Sequence, residues 1–150
     1  MGLKTFKDII RFAIKREETA YKLYKNAAGK APTAAARKMF EELAAEEAGH
    51  KASFQKLSEQ DVDKFAPSGI ADSAIADHMV DVPFREDLTG EEILRFAMKA
   101  EESAYQLYTA AAGIVTDAKL KKMLLMLAEV EKGHKVRIEA MYEENVFREH

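Results

Sequence analysis

Apolar residues recur at alternating steps of four and three through four stretches of the chain, the spacing that keeps one face of an α-helix apolar. The first stretch sets Phe6, Ile10, Ala13, Glu17, Ala20, Tyr24 and Ala27 in one row, and the second sets Ala36, Phe40, Leu43, Glu47, His50, Phe54 and Leu57 in another. The third reads Leu94, Ala97, Glu101, Ala104, Tyr108, Ala111, and the fourth Leu120, Leu124, Leu127, Glu131, His134, Ile138, Met141. Patterns this long outlast any strand and predict helices over about 5–28, 33–61, 89–112 and 117–144. Thr5, Thr33, Thr89 and Asp117 stand before the four runs as N-cap residues, and Thr89 with Glu92 three positions later reads as a capping box.

The two halves are copies. "RFAIKREETAYKLYKNAAG" from Arg11 returns as "RFAMKAEESAYQLYTAAAG" from Arg95, an offset of 84, and "EEAGHK" returns at that offset as "VEKGHK". Each half is a helical hairpin, broken once by Pro32 and once by "AAGI" with Thr116. Between the halves, about 62–88 carries two prolines and irregular polarity, with room for a short helix. Antiparallel neighbours need only a few linking residues, so a connector of this length is expected to run along the bundle, roughly 40 Å at 1.5 Å per residue. The expected architecture is all-α: a ferritin-like four-helix bundle in a single domain, with one long crossover joining the hairpins. An up-down-up-down bundle is the alternative.

Ionisable residues interrupt all four apolar rows near their middle. A bundle buries these rows, so Glu17, Glu47, His50, Glu101, Glu131 and His134 are expected to face inward, with Glu18, Glu46 and Glu102 flanking them in solvent. Four carboxylates cannot all stay ionised in a dry interior without a counter-charge, since desolvation costs several kcal/mol per ion and like charges add to it. Two divalent cations would balance four glutamates, and two neutral imidazoles would complete the ligand set. A single Glu-x-x-His in a glutamate-rich helix is weak evidence. Here it occurs twice, each time 30 positions after a seam glutamate (17 to 47, 101 to 131).

Composition narrows the chemistry further. The 150 residues are 47% hydrophobic and 33% charged with a net charge of −3, and no basic block offers a surface to nucleic acid or to an anionic membrane. No apolar run approaches the roughly 20 residues needed to span a bilayer, and the N-terminal stretch lacks a signal peptide's apolar core, so a cytoplasmic location is expected. With no cysteine, disulfides, thiolate metal sites and thiol catalysis are excluded. His78, beside Asp77 and Asp81, and His150 read as connector and tail residues; Met39, Met123 and Met126 read as packing or flank.

The motifs "EETAYKLY", "EEAGHK", "EESAYQLY" and "VEKGHK" resemble the rubrerythrin branch of the ferritin-like superfamily. The resemblance implies that Glu47 and Glu131 bridge two metals, with Glu17 and His50 on one and Glu101 and His134 on the other. Tyr24 and Tyr108 resemble the tyrosines that hydrogen-bond ligating carboxylates in that family. It further implies a non-haem di-iron oxidoreductase reacting with hydrogen peroxide or dioxygen, of peroxide reductase or ferroxidase type; manganese or a mixed pair suits the same ligands. The alternative is an iron carrier or store of ferritin type. Rubrerythrins proper carry an additional glutamate one turn before the third-helix ligand, where this chain has Met98, so the ligand set is symmetric. The four-cysteine rubredoxin domain of full-length rubrerythrins is absent, which implies a separate, rubredoxin-like electron donor. A homo-oligomer is expected, with a dimer favoured.

Overall fold

The computed structural model describes residues 5–67, 75, 77–79 and 85–147. Its elements are α1 (Phe6–Lys30), α2 (Ala34–Ser58), a 3-10 turn (Val62–Phe65), α3 (Gly90–Ile114) and α4 (Ala118–Glu143). Thr5, Thr33, Thr89 and Asp117 are the N-caps, each accepting a hydrogen bond from the backbone N–H three residues on. Thr89 and Glu92 form the capping box, and Thr5 with Asp8 forms a second one. At the C-terminus of α1, Ala31 is extended (ψ 131°) because the ring of Pro32 disfavours helical backbone in the residue before it. The second helix stops at Ser58, short of the expected 61, and the chain folds over so that Val62 is buried against the bundle.

Burial divides the interior into two apolar clusters. One gathers Phe6, Ile9 and Ile10 of α1, Phe54 and Leu57 of α2, Leu107 and Ala111 of α3, and Leu120 and Leu124 of α4. The other gathers Leu23 and Ala27 of α1, Phe40 and Leu43 of α2, Ile93 and Leu94 of α3, and Ile138 and Met141 of α4. The start of α1 therefore shares an end with the finish of α3, and α2 likewise runs opposite to α4. The chain leaves α2 at the first cluster, where Val62, Ala66 and Ile75 are buried, and enters α3 at the second, where Leu88 is buried. That is a crossover running the length of the bundle, about 37 Å for a 25-residue helix, and it gives the ferritin-like topology. Hydrogen bonds pin both its ends: Lys7 N–H donates to Asp63 (3.1 Å) and Thr116 N–H to the Phe65 carbonyl (2.7 Å). At the far end Lys30 Nζ donates to the carbonyls of Glu86 (2.7 Å) and Leu88 (2.6 Å).

After α4 the chain turns back on itself. Asn145 adopts φ 55°, its N–H donates to the Tyr142 carbonyl and that of Val146 to the Met141 carbonyl, the paired bonds of a Schellman motif with asparagine as the left-handed residue. The turn lays Phe147 over Gly90 and against Phe40, with ring centroids 5.8 Å apart. Any Cβ at position 90 would collide with that ring, so the close approach requires glycine. No helix among the described residues is long and apolar enough to cross a membrane.

Candidate metal centre

The ionisable layer lies at the waist, between the two apolar clusters. Glu17, Glu47, Glu101 and Glu131 have no exposed surface, His134 is 2% exposed, and the side chain of His50 is 12% exposed. All six sequence-expected ligands converge. Glu17, Glu47, His50 and Glu131 form one group whose ligand atoms lie within 4.8 Å of one another, and Glu47, Glu101, Glu131 and His134 form a second. Glu47 and Glu131 belong to both.

Each imidazole aims Nδ1 at the centre. His50 Nδ1 lies 3.0 Å from Glu17 Oε1, 3.2 Å from Glu47 Oε1 and 3.4 Å from Glu131 Oε1. His134 Nδ1 lies 3.0 Å from Glu101 Oε2 and 3.5 Å from the same oxygens of Glu47 and Glu131. Only the His50–Glu17 contact has hydrogen-bond geometry. Glu47 Oε1, Glu101 Oε2, Glu131 Oε1 and both ring nitrogens of His134 are buried with no hydrogen-bond partner. Buried polar atoms are otherwise nearly always paired, and lone pairs directed at common points are what metal ligands need. The donor set, four carboxylates and two imidazoles, fits two divalent ions of iron or manganese type.

A residue that sequence reasoning passed over sits among these ligands. The Arg16 guanidinium donates to Glu17 Oε2 (2.6 Å), Glu47 Oε2 (2.8 Å), Glu131 Oε2 and Glu101 Oε1. Its side chain is 9% exposed. Two signals could have found it. In the aligned repeats it replaces Ala100, and it stands in a second apolar row of the first helix, Ile9, Ala13, Arg16, Ala20 and Leu23.

The electrostatics follow from a guanidinium and an imidazole set among four buried carboxylates. Burial alone would raise the Glu17 carboxyl, but Arg16, then His50 and Tyr108, outweigh it and hold Glu17 at about 2. Glu47 is driven the other way, well above the usual carboxylate range, by burial and by repulsion from Glu131, Glu17 and Glu101, which Arg16 only partly offsets. Glu131 is also raised, chiefly by burial. Burial opposes charge on His50, yet its contacts with Glu131, Glu17 and Glu47 push it up to about 12.

The two tyrosines differ. Tyr108 donates to Glu17 Oε2 at 2.6 Å, reaching across to the glutamate of the opposite hairpin. Tyr24 is buried beside Glu101 and stacks on Phe40 (6.5 Å), and among the described residues it makes no corresponding bond. Of the flanking glutamates, Glu18 pairs with Lys51 (2.7 Å) and Glu102 with Lys135 (3.0 Å), the same contact in both repeats. Glu46 does more than face solvent: its carboxylate lies 3.4 Å from His134 Nε2 and 3.3 Å from Arg137. Arg137 also donates to Met39 Sδ, Met123 packs against the first cluster, and Met126 is exposed. His78 lines a pocket between α1 and α3, and Asp77 is exposed; Asp81 and His150 lie outside the described residues.

A four-helix bundle with this crossover and a buried carboxylate and histidine cluster defines the ferritin-like di-iron carboxylate class. Membership is narrower than that: the rubrerythrin family model matches residues 8–89 and 91–149, and the chain belongs to the rubrerythrin family. Among solved structures, a Thermotoga maritima protein named as a candidate ferritin-like diiron-carboxylate protein superposes with a TM-score of 0.79 at 24% identity, covering 97% of this chain and 99% of its own. A hypothetical protein from Pyrococcus furiosus superposes with a TM-score of 0.69 at 25% identity, covering 91% and 87%. No curated protein matches the chain.

Proposed function

We propose that the protein is a non-haem di-iron oxidoreductase that reduces hydrogen peroxide or dioxygen, with electrons delivered by a separate donor protein. The observation carrying this reading is the sharing of Glu47 and Glu131 between two four-ligand groups. Glu17 and His50 would hold one ion, Glu101 and His134 the other, and manganese suits the same donors. A reduced iron pair supplies, when bound, two electrons that with two protons convert the O–O bond of hydrogen peroxide into two waters.

The chain's part is to shape and dry the site. Tyr108 holds Glu17 by Oε2, which leaves Oε1 turned toward His50. Glu46, 3.4 Å from Nε2 of His134, favours the orientation in which Nδ1 points inward. Apolar clusters above and below keep water from the waist, so the carboxylates act in a medium of low dielectric. The test is anaerobic loading with ferrous iron followed by peroxide or oxygen. Wild-type protein is expected to take up two irons per chain and consume oxidant far faster than the Glu47→Ala, Glu131→Ala double variant. Equal rates would reject the reading.

A further inference from the structure

The centre already contains a cation, and the chain supplies it. Arg16 engages Glu17 Oε2, Glu47 Oε2, Glu131 Oε2 and Glu101 Oε1, one oxygen from every carboxylate in the cluster. Those oxygens are among the atoms two metal ions would need, and a guanidinium beside two dications would be repelled by both. Arginine and a metal pair are therefore alternative occupants.

The fit of Arg16 is incomplete in a way that a permanent structural ion pair would not be. Its Nε is buried without a partner, and three carboxylate oxygens and His134 Nδ1 stay unpartnered around it. The side chain has somewhere to go. A pocket between α1 and α3 begins at Arg16 and is lined by Phe12, Lys15, Thr19, Leu23, Ser103 and His78; it encloses only about 30 Å³ and opens to solvent, so it offers the guanidinium a way out beside Thr19 and Ser103 rather than an internal chamber. Ala100, the repeat counterpart of Arg16, lines the same pocket, and its carbonyl lies 3.4 Å from the guanidinium. A methyl group there leaves the path clear.

We propose that Arg16 is a displaceable internal cation: it closes the centre when metal is absent, and swings out toward solvent between α1 and α3 when divalent ions enter. The idea rests on the dinuclear reading of the same site. Its consequence is that metal affinity is lower than the ligands alone would give, because only the arginine-out fraction can bind. Arg16→Met keeps an apolar stem of helix-forming character and removes the charge.

Calorimetric titration of the metal-free full chain with Mn²⁺ tests the competition. Arg16→Met is expected to bind at least about tenfold more tightly than wild type, because no fraction is blocked. Its metal-free form is expected to melt at a lower temperature than metal-free wild type, and Arg16→Lys, which keeps the charge, is expected to stay nearer wild type in affinity. Equal or weaker binding by Arg16→Met overturns the proposal while leaving the dinuclear site standing. Absence of Mn²⁺ binding by wild type and variant alike overturns both. Should Arg16→Met fail to fold without metal, a crystal structure of Mn²⁺-loaded wild type decides. Arg16 is expected beside Thr19 and Ser103, out of reach of Glu101 and Glu131; a guanidinium still bonded to them with both ions present would overturn the proposal.

Discussion

The two hairpins place the same ligands at the same depth, yet their surroundings diverge. In the first, Arg16 precedes the seam glutamate; in the second, Ala100 does. Arg16 donates to both Glu17 and Glu101, but only Glu17 also receives a tyrosine hydroxyl, that of Tyr108, among the described residues. His134 has Glu46 at its outer nitrogen, while the repeat position of Glu46 is Val130. Duplication thus yields a symmetric set of donors inside an asymmetric set of partners. Ligand identity is fixed by what a metal pair requires, but the groups that hold and charge those ligands are free to differ between halves.

The largest effects should follow the symmetry. Glu47→Ala or Glu131→Ala is expected to empty both metal positions, whereas Glu17→Ala or Glu101→Ala is expected to leave one metal per chain, counted by elemental analysis after anaerobic loading. Equal stoichiometry in all four variants would break the assignment of shared and terminal roles.

A second effect separates the halves by pH. In the metal-free protein His50 is raised from 6.5 to about 12, so its contribution to stability is complete below 6.5 and is lost as pH rises through about 12. Glu47, also raised, acts in the same direction from its ordinary range upward. Denaturation midpoints of metal-free protein are expected to fall as pH rises from 6.5, and His50→Gln is expected to flatten that slope more than His134→Gln. A flat wild-type profile would contradict the charge distribution.

Smaller differences should appear at the tyrosines. Tyr108→Phe removes a buried bond to a charged acceptor and is expected to cost about 1.5–3 kcal/mol in urea denaturation of the metal-free protein, with Tyr24→Phe well below that. The smallest effect belongs to the symmetric surface pairs. Glu18→Ala and Glu102→Ala should each cost under about 1 kcal/mol, and by similar amounts, since both partners are partly exposed.

Much of this centre was legible because helical periodicity is local and the repeat doubled it. A glutamate in an apolar row, echoed at an offset of 84, can only be core or ligand, and all four N-caps announced themselves by residue type. The connector's length carried the topology. What the sequence hid was set by pairing between helices. Nothing in "EETAYKLY" says that Tyr108 bonds across to Glu17, because that depends on the antiparallel pairing of α1 with α3. Arg16 was hidden for a related reason: charged residues are common beside a seam, and only the packing of α1 on α3 turns this one inward. The end of α2 falls short of the expected 61 because the polar run 58–61 carries no glycine or proline to mark a stop, while the chain turns there to seat Val62.

Phe147 lies where a side chain at position 90 would be, and the residue 84 positions before Gly90 is Phe6, buried at the opposite end of the bundle. At the first end the aromatic ring therefore comes from the opening turn of its own helix. At the other end the ring is supplied by the far terminus of the fold, so closing that end depends on the turn at Asn145 bringing the chain back over Gly90 and Phe40.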